Sequence, residues 1–245
     1  MVKFAEAKSL FRDIVDPAQY IPLTSSEKIK IDLLGAINQH EKMILLTGEA
    51  GSGKSLLLRT VYEQLKAKTD VFFVSNPYME VDTVLKLIKE LDIQKHHILL
   101  LDEAQLLKAD TWENLRIYAD KGNITIVFAT HDVDVNKLLS KKHFKTRINS
   151  IIHAKSVSKA EMENFILTKL LKNNYNEIAS MFTKSNFNLI YKYTKGSLRA
   201  TNQSIYKLFD VMDYFYKKNP YKFNLKKIKN KYIYIAMMDL KAINA

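Results

Sequence analysis

Residues 48–55 read Gly48-Glu49-Ala50-Gly51-Ser52-Gly53-Lys54-Ser55. Glycines at this spacing let the backbone turn tightly enough for successive N–H groups to point at phosphate oxygens. The apolar run Met43–Thr47 precedes the motif, and an amphipathic helix that begins at Lys54 follows it. A chance glycine turn at the end of a strand is the alternative interpretation, but a strand before the loop and a helix after it favour a phosphate-binding loop.

This motif assigns a role to each of its parts. The loop backbone and the helix N-terminus, as far as Leu56, are expected to bind phosphate oxygens. The Lys54 ammonium group is expected to reach the β- and γ-phosphates, and the Ser55 hydroxyl to ligate Mg²⁺. The predicted nucleotide-binding residues of the loop are Gly48, Glu49, Ala50, Gly51, Ser52, Gly53, Lys54, Ser55 and Leu56.

A second motif supplies acidic side chains. The apolar run Ile98–Leu101 ends in Asp102 and Glu103. Asp102, at the carboxyl edge of the sheet, is expected to support Mg²⁺, and Glu103 to act as the general base that polarises the attacking water. By itself this pattern is more typical of a turn with solvated acids. Its position after a phosphate-binding loop favours the catalytic interpretation.

A third apolar run, Ile124–Phe128, continues into Ala129-Thr130-His131-Asp132. A strand beside the first two would bring Thr130 or His131 towards the γ-phosphate, where a small polar group can orient the water. The alternative is an ordinary strand end at which Asp132 caps the next helix. The sequence leaves these alternatives open.

The rest of the first part alternates between strand-like and helix-like patterns. Short apolar runs typical of strands lie at Met43–Leu46, Val71–Val74, Ile98–Leu101 and Ile124–Phe128, and a weaker one lies at Ile151–Ile152. Stretches with helical spacing of apolar residues lie between them at Lys54–Lys68, Val81–Leu91 and Thr111–Ala119. This alternation predicts an α/β fold with a five-stranded, mainly parallel sheet and helices on both faces.

Strand-like patterns disappear after Ser158. The remaining chain reads as helices at Ala160–Leu171, Phe187–Tyr193, Ala200–Tyr216 and Leu225–Leu240. The predicted division is therefore a nucleotide-binding α/β domain at residues 1–156 and an all-helical domain at residues 157–245.

Composition excludes several classes of protein. The 245 residues contain no cysteine, which excludes a disulfide scaffold, a thiolate metal site and a cysteine nucleophile. No apolar run approaches the roughly 18–20 residues that span a bilayer, and the first residues lack the apolar block of a secretory signal. A cytoplasmic protein is therefore expected. The six histidines show no metal-ligand spacing.

The net charge of +12 is concentrated near the C-terminus. Residues 184–245 contain 13 basic and three acidic residues, and eight of the 13 tyrosines. The stretch Tyr214–Lys222, followed by Lys226–Lys231, is typical of an electrostatic footprint for the phosphates of duplex DNA. It is somewhat more typical of a solvated lysine face on amphipathic helices, and both interpretations stay open.

On these motifs the chain resembles the AAA+ ATPases, and within them the ExeA/GspA-type and TniB-type branch. The similarity covers nearly the whole chain and includes Tyr20-Ile21-Pro22-Leu23, Thr47–Ser55, Leu101-Asp102-Glu103-Ala104-Gln105 and the helical end. In this branch the acidic motif typically continues as Asp-Glu-Ala-Gln, as it does here. The resemblance implies ATP and Mg²⁺ as ligands, a helical lid domain, and a homo-oligomer that forms on ATP binding.

The resemblance also implies roles for two arginines. Arg147, in Phe144-Lys145-Thr146-Arg147-Ile148, lies where the family often carries an arginine finger that reaches the nucleotide of a neighbouring subunit. A surface salt bridge is the alternative for this residue. Gly196-Ser197-Leu198-Arg199 looks like the lid motif whose arginine contacts the γ-phosphate within its own subunit. A cation in the first turn of a helix opposes the helix dipole, so Arg199 is expected to have some other partner.

Two departures bear on the function that the resemblance implies. The ExeA type continues into a membrane span and a periplasmic region, whereas this chain ends after the lid. The strand that usually ends in Gly-Gln-Pro ends here in Ala129-Thr130-His131. The expected function is a Mg²⁺-dependent ATPase that serves as motor or switch for a membrane-associated assembly of the secretion, pilus or competence type. It would be cytoplasmic, or peripheral at the inner membrane through a protein partner. The alternative is a DNA-binding AAA+ ATPase that regulates transposition or replication.

Overall fold

The computed structural model of the chain describes residues 3–76, 86, 94–133, 135 and 146–243. They form two compact units. One, here called the nucleotide unit, is Val15–Lys155. The other, the helical unit, joins the described residues of Met1–Ile14 to those of Ser156–Ala245.

Each α-helix of the described residues belongs to one of the two units. The helices are α1 (Phe4–Ala7), α2 (Thr24–Asn38), α3 (Lys54–Leu65), α4 (Ala109–Asp120), α5 (Lys159–Lys172), α6 (Asn176–Ser180), α7 (Lys184–Thr194), α8 (Leu198–Lys218) and α9 (Asn230–Ile243). Within the described residues, no helix combines the length and the apolar character needed to cross a membrane. The predicted helix Val81–Leu91 lies, apart from Lys86, outside the described residues.

A five-stranded parallel sheet organises the nucleotide unit, as the sequence predicts. Its strands are β1 (Met43–Gly48), β2 (Val71–Val74), β3 (His97–Leu101), β4 (Ile124–His131) and β5 (Ile148–Ala154). They lie in the order β2-β3-β4-β1-β5, and every pair is parallel. In the β1–β4 register Thr47 lies opposite Thr130 and Gly48 opposite His131. The carboxyl ends of the central strands therefore meet at one edge.

Side chains alternate along β1 and build a core on each face of the sheet. Met43 and Leu45 pack in a cluster that includes Trp112 of α4. Ile44 and Leu46 pack in a second cluster with buried residues of α2 and α3. Because successive side chains of a strand point to opposite faces, an unbroken apolar run requires helices on both sides, and the structure confirms that prediction.

The helical unit begins and ends its helices where the polar side chains indicate. Ser158 and Glu161 form a reciprocal capping box at α5, and Thr183 and Asn186 form another at α7. Ser197 caps α8 by accepting a hydrogen bond from the Ala200 N–H. Three of the four predicted helices agree with the structure to within about one turn.

The fourth predicted helix, Leu225–Leu240, starts five residues too early, because α9 begins at Asn230. Residues 225–229 are not helical, and the backbone of Ile228 instead forms hydrogen bonds with α7 and with the segment before it. The Ile228 N–H donates to the Met181 carbonyl at 2.9 Å, and the Asn186 amide donates to the Ile228 carbonyl at 3.1 Å. These tertiary hydrogen bonds replace those that a helical turn would make.

The first residues pack with the helical unit rather than with the nucleotide unit, in which the sequence division placed them. Phe4 and Phe11 are fully buried, and their rings lie 6.2 and 5.7 Å from that of Phe209 in α8. Lys8 pairs with Asp210 on the same helix at 2.5 Å. We call residues 3–14 the N-terminal arm.

Candidate functional site

The loop between β1 and α3 needs glycine for two different reasons. Gly51 and Gly53 have φ angles of +80° and +94°, in the region that disfavours any side chain. A Cβ atom on Gly48 would lie 2.2 Å from the carbonyl oxygen of Ala154 in β5. The sheet itself therefore excludes a side chain where the loop begins.

The Lys54 side chain is buried against the backbone of the loop. Its side chain is only 8% exposed, and its ammonium group donates to the carbonyl oxygens of Gly48 at 2.7 Å and Glu49 at 3.0 Å. The Ser52 hydroxyl is also buried, and it has no hydrogen-bond partner among the described residues. A buried cation and a buried unpaired hydroxyl on one glycine-rich loop fit a phosphate group, whose oxygens accept hydrogen bonds from both.

Asp102 lies at the end of β3, close to the first turn of α3. Its carboxylate is 7% exposed and accepts hydrogen bonds from the Ser55 hydroxyl and from the Glu103 N–H, the latter at 3.0 Å. Burial raises the pKa of Asp102, while the Ser55 hydrogen bond, the Glu103 N–H and the nearby Lys54 charge act in the opposite direction. The fold therefore brings the two predicted Mg²⁺ ligands together.

The donors at this point fit Mg²⁺. A carboxylate and a hydroxyl are hard oxygen ligands, and Mg²⁺ usually takes only one or two protein ligands together with water and substrate phosphates. In the described part of the chain, no group of three or more His, Asp or Glu side chains is placed to hold a metal ion. A Mg²⁺ site here would therefore consist of Ser55, Asp102, water and phosphate oxygens.

Glu103 is held by its backbone and by two side chains. Its φ angle of +50° is unusual for a residue with a side chain. Its carboxylate accepts a hydrogen bond from the Gln105 amide and lies 3.4 Å from Nε2 of His131. Gln105 also has a buried amide oxygen without a partner among the described residues. The sequence places Gln105 in the Asp-Glu-Ala-Gln string, but the motif alone predicts no role for its amide.

The structure separates the two residues at the end of β4. His131 contacts Glu103. Thr130 is buried and lies opposite Thr47 in β1, whose hydroxyl donates to the Asp132 carboxylate. The role of Thr130 as a catalytic residue remains a prediction, whereas the geometry favours His131 as the neighbour of the predicted general base.

Arg147 lies just before β5 and forms an ion pair on the surface of its own unit. Its Nε atom is 2.8 Å from a carboxylate oxygen of Asp120, at the end of α4. Arg116 lies 2.7 Å from the same carboxylate, and the hydrogen bond from Arg147 is the largest cause that lowers the pKa of Asp120. The finger role remains a prediction, and it requires Arg147 to leave Asp120.

Arg199 lies in the first turn of α8, as the sequence predicts, and its partner is Asp13 of the N-terminal arm at 3.2 Å. The turn before it is tightly fixed. Gly196 has a φ angle of +80°, and a Cβ atom there would lie 2.1 Å from the Val157 carbonyl oxygen. The predicted contact of Arg199 with a γ-phosphate remains a prediction.

Comparisons with known proteins bear on both the site and the fold. The family model described as novel STAND NTPase 5 matches residues 8–143. No curated protein matches the chain.

The RuvB Holliday junction branch migration motor of Thermotoga maritima is 18% identical with a TM-score of 0.63, and the match covers 94% of this chain and 73% of that one. The Aeropyrum pernix ORC1 protein, solved in complex with DNA, is 12% identical with a TM-score of 0.69, at 96% and 69% coverage. Cdc6p of Pyrobaculum aerophilum is 17% identical with a TM-score of 0.64, at 95% and 70% coverage. These similarities show the fold, which is that of the AAA+ P-loop ATPases.

Proposed function

The chain belongs to the novel STAND NTPase 5 family, and from that premise we propose that it is a Mg²⁺-dependent ATPase. One observation carries the proposal. The buried Lys54 ammonium group on the loop, the Ser55–Asp102 hydrogen bond and the adjacent Glu103 form one cluster at the carboxyl edge of the sheet. This set provides phosphate binding, metal binding and a base.

In the proposed mechanism each group has a separate task. The loop N–H groups and Lys54 bind the β- and γ-phosphates and offset their charge. Mg²⁺ held by Ser55 and Asp102 supplies further charge neutralisation on the phosphate oxygens when it is bound. Glu103 accepts a proton from the attacking water. Gln105 and His131 hold the Glu103 carboxylate in position.

The test is Lys54→Ala, with Lys68→Ala as the control on an exposed lysine. We expect Lys54→Ala to lose ATP binding measured by isothermal titration calorimetry, because the loop loses its buried cation. Lys68→Ala is expected to bind ATP like the parent. ATP binding by Lys54→Ala at parental affinity would contradict the proposed site.

For the process served, the motif resemblance to the ExeA/GspA-type branch supports a motor or switch for a membrane-associated assembly. The protein would form a homo-oligomer on ATP binding and lie at the inner membrane through a protein partner. Arg147 would act in trans, and Arg199 would respond to the γ-phosphate. Mixing Arg147→Ala with Lys54→Ala subunits tests the trans role, because recovered ATP turnover supports it and no recovery at any ratio contradicts it.

A DNA-engaging ATPase is the second candidate, and two observations favour it. The helical unit exposes lysines that have no acidic partner among the described residues, and similar folds occur in a Holliday junction motor and in a protein solved with DNA. Duplex DNA binding with and without ATP over a salt series separates the candidates. A steep salt dependence with ATP stimulation supports the DNA function, and no binding at low salt leaves the assembly function.

A further inference from the structure

The end of α8, its connection to α9 and the first turns of α9 concentrate positive charge. We call residues 214–234 the basic corner. It contains seven lysines and no aspartate or glutamate. A run of one sign without acids attracts an anionic partner and is strongly screened by salt.

Packed rings, of which Phe223 and Tyr232 are buried, connect the parts of the basic corner. The ring of Phe223, in the connection, lies 5.6 Å from that of Tyr216 in α8 and 5.5 Å from that of Tyr232 in α9. Phe215 lies 5.3 Å from Tyr232. Ile228 adds two backbone hydrogen bonds to neighbouring segments. The surface residues between these anchors therefore stand on a fixed support.

Three tyrosines project from this support into solvent. Tyr221 is 100% exposed, Tyr214 58% and Tyr234 45%. Each lies within two residues of one of the packed rings of Phe215, Tyr216, Phe223 and Tyr232. The core explains the buried tyrosines of this unit but not these three; the Tyr214 ring also contacts Phe215 at 5.4 Å and lies 5.8 Å from the Lys218 ammonium group.

The lysines beside them are available to an anion. Lys217 is paired with Asp213 at 2.7 Å. Lys226, Lys227 and Lys229 are exposed, and the described residues give none of them an acidic partner. The last arginine of the chain is Arg199. Lysine binds phosphate as a point charge, without the forked geometry by which arginine reads a base edge.

We propose that the basic corner binds single-stranded nucleic acid without sequence preference. Its exposed lysines contact backbone phosphates, and Tyr214, Tyr221 and Tyr234 stack on unpaired bases. A duplex would use the lysines but give the tyrosines no bases to stack on. A lipid surface would favour exposed apolar side chains that insert among the acyl chains, and in the basic corner only Leu225, 43% exposed, is of that kind among the described residues.

This inference rests on the DNA-engaging form of the proposed function. Its test measures binding without ATP or Mg²⁺. If the protein did not bind single-stranded nucleic acid, the ATPase proposal would be unaffected. If it did not bind ATP, the nucleic-acid proposal would be unaffected.

The experiment titrates a fluorescent oligothymidylate, the matching duplex and phosphatidylglycerol vesicles with the full chain over a salt series. One variant carries Tyr214→Ser, Tyr221→Ser and Tyr234→Ser, and a second carries Lys226→Ala, Lys227→Ala and Lys229→Ala. The matched control carries Lys68→Ala, Lys172→Ala and Lys192→Ala, three exposed lysines outside the corner. Circular dichroism checks folding, and Tyr221→Ser alone, at a fully exposed site, serves if the triple variant does not fold.

We expect the parent to prefer the single strand. The tyrosine variant should lose about tenfold or more in single-strand affinity with an unchanged salt slope, because stacking is not ionic. The lysine variant should reduce the slope of log affinity against log salt by about 0.7 for each phosphate that its lysines no longer neutralise. The control should behave like the parent.

Three outcomes would overturn the inference. The first is equal affinity for duplex and single strand, together with no effect of the tyrosine changes. The second is binding to the vesicles but not to the oligonucleotide. The third is binding to neither the vesicles nor the oligonucleotide.

Discussion

Glu103 is constrained both by its backbone conformation and by contacts to its side chain. Its left-handed backbone costs about 1–3 kcal/mol for a residue of this type. The Asp102 carboxylate accepts its N–H, and Gln105 and His131 contact its side chain. Strain that surrounding contacts maintain is typical of a functional position. We therefore expect Glu103 to be the residue at which hydrolysis is most easily separated from binding.

Glu103→Gln is expected to bind ATP but to hydrolyse it about 10²–10⁴-fold more slowly, because the amide cannot accept the proton. Gln105→Leu should lower turnover less, by about tenfold, since it removes one hydrogen bond to a charged group worth about 1.5–3 kcal/mol. Phosphate release gives turnover, and calorimetry gives ATP affinity, which should stay parental in both variants.

Gln64→Leu, on the exposed side of α3, is the control for the Gln105 change. If Glu103→Gln hydrolysed ATP at the parental rate, Glu103 could not be the general base. Parental turnover in Gln105→Leu would show that the observed hydrogen bond does not position Glu103.

Lys169 is a buried cation in the helical unit. It is 5% exposed, its ammonium group lies 5.3 and 5.1 Å from the ring centres of Phe11 and Phe165, and Asn202 accepts its hydrogen bond at 3.3 Å. Burial lowers the pKa of Lys169 from 10.5 to about 8. The unfolded chain therefore holds the proton over a pH range in which the folded unit has released it.

Stability should consequently depend on pH through Lys169. Below pH 8 both states are protonated and the folded unit bears the full cost of a buried charge, whereas from pH 8 to 10.5 the unfolded state binds more protons and stability rises. Lys169→Met should raise the melting temperature at pH 7, and its advantage should shrink as pH rises through that range. Exposed Lys172→Met is the control, and an advantage independent of pH would contradict the pKa shift.

The elements show which parts of the structure the sequence predicts. All five strands and their parallel direction follow from apolar runs that alternate with helices. The helix caps at Ser158, Thr183 and Ser197, which were not predicted, are hydrogen bonds between residues at most three positions apart. The start of α9 depends instead on hydrogen bonds to Met181 and Asn186, more than 40 residues away, which no local pattern contains.

The site divides in the same way. The phosphate loop, and Asp102 beside Ser55, follow from a motif in which sequence spacing fixes geometry. The approach of His131 and Gln105 to Glu103 depends on strand register and side-chain rotamers, which the sequence does not reveal. The pairing of Arg147 with Asp120 likewise requires the end of α4 to lie beside the start of β5.

Two glycines test whether their local geometry matters. Gly196→Ala should destabilise the helical unit by about 2 kcal/mol or more, because it combines a left-handed backbone with a clash against Val157. Gly35→Ala, in α2, meets no atom within 4 Å and should stabilise the protein by about 0.5–1 kcal/mol. Denaturant unfolding measures both, and a destabilising effect of the same size at Gly35 would contradict the role given to the turn.

The whole molecule consists of two units, one of which is built from both ends of the chain. Phe4 shows how the N-terminal arm contributes to the helical unit. It is fully buried, and its ring lies 5.8 Å from that of Phe223 and 6.2 Å from that of Phe209. The nucleotide unit contains the single tryptophan of the chain, Trp112, which stacks on Phe128 at 4.4 Å. Fluorescence can therefore follow one unit alone.

Phe4→Ala is expected to destabilise the helical unit by about 3–5 kcal/mol, the usual cost of removing a buried phenylalanine. Hydrogen exchange should accelerate in α8, while the denaturant midpoint of Trp112 fluorescence should stay close to the parental value. Ile14→Ala, at a half-exposed site of the arm, is the control. Equal loss of protection in both units would contradict the assignment of the arm to one of them.

The divided helical unit also has a consequence for biosynthesis. The N-terminal arm is translated before the nucleotide unit, and its packing partners on α8 are translated only after that unit. At about 5–20 residues per second, that delay is on the order of ten seconds. During it Phe4 and Phe11 are apolar groups without their native cover, open to chaperones, while residues 15–155 emerge as a unit able to fold first. The helical unit can pack around Phe4 and Phe11 only after α8 has been translated.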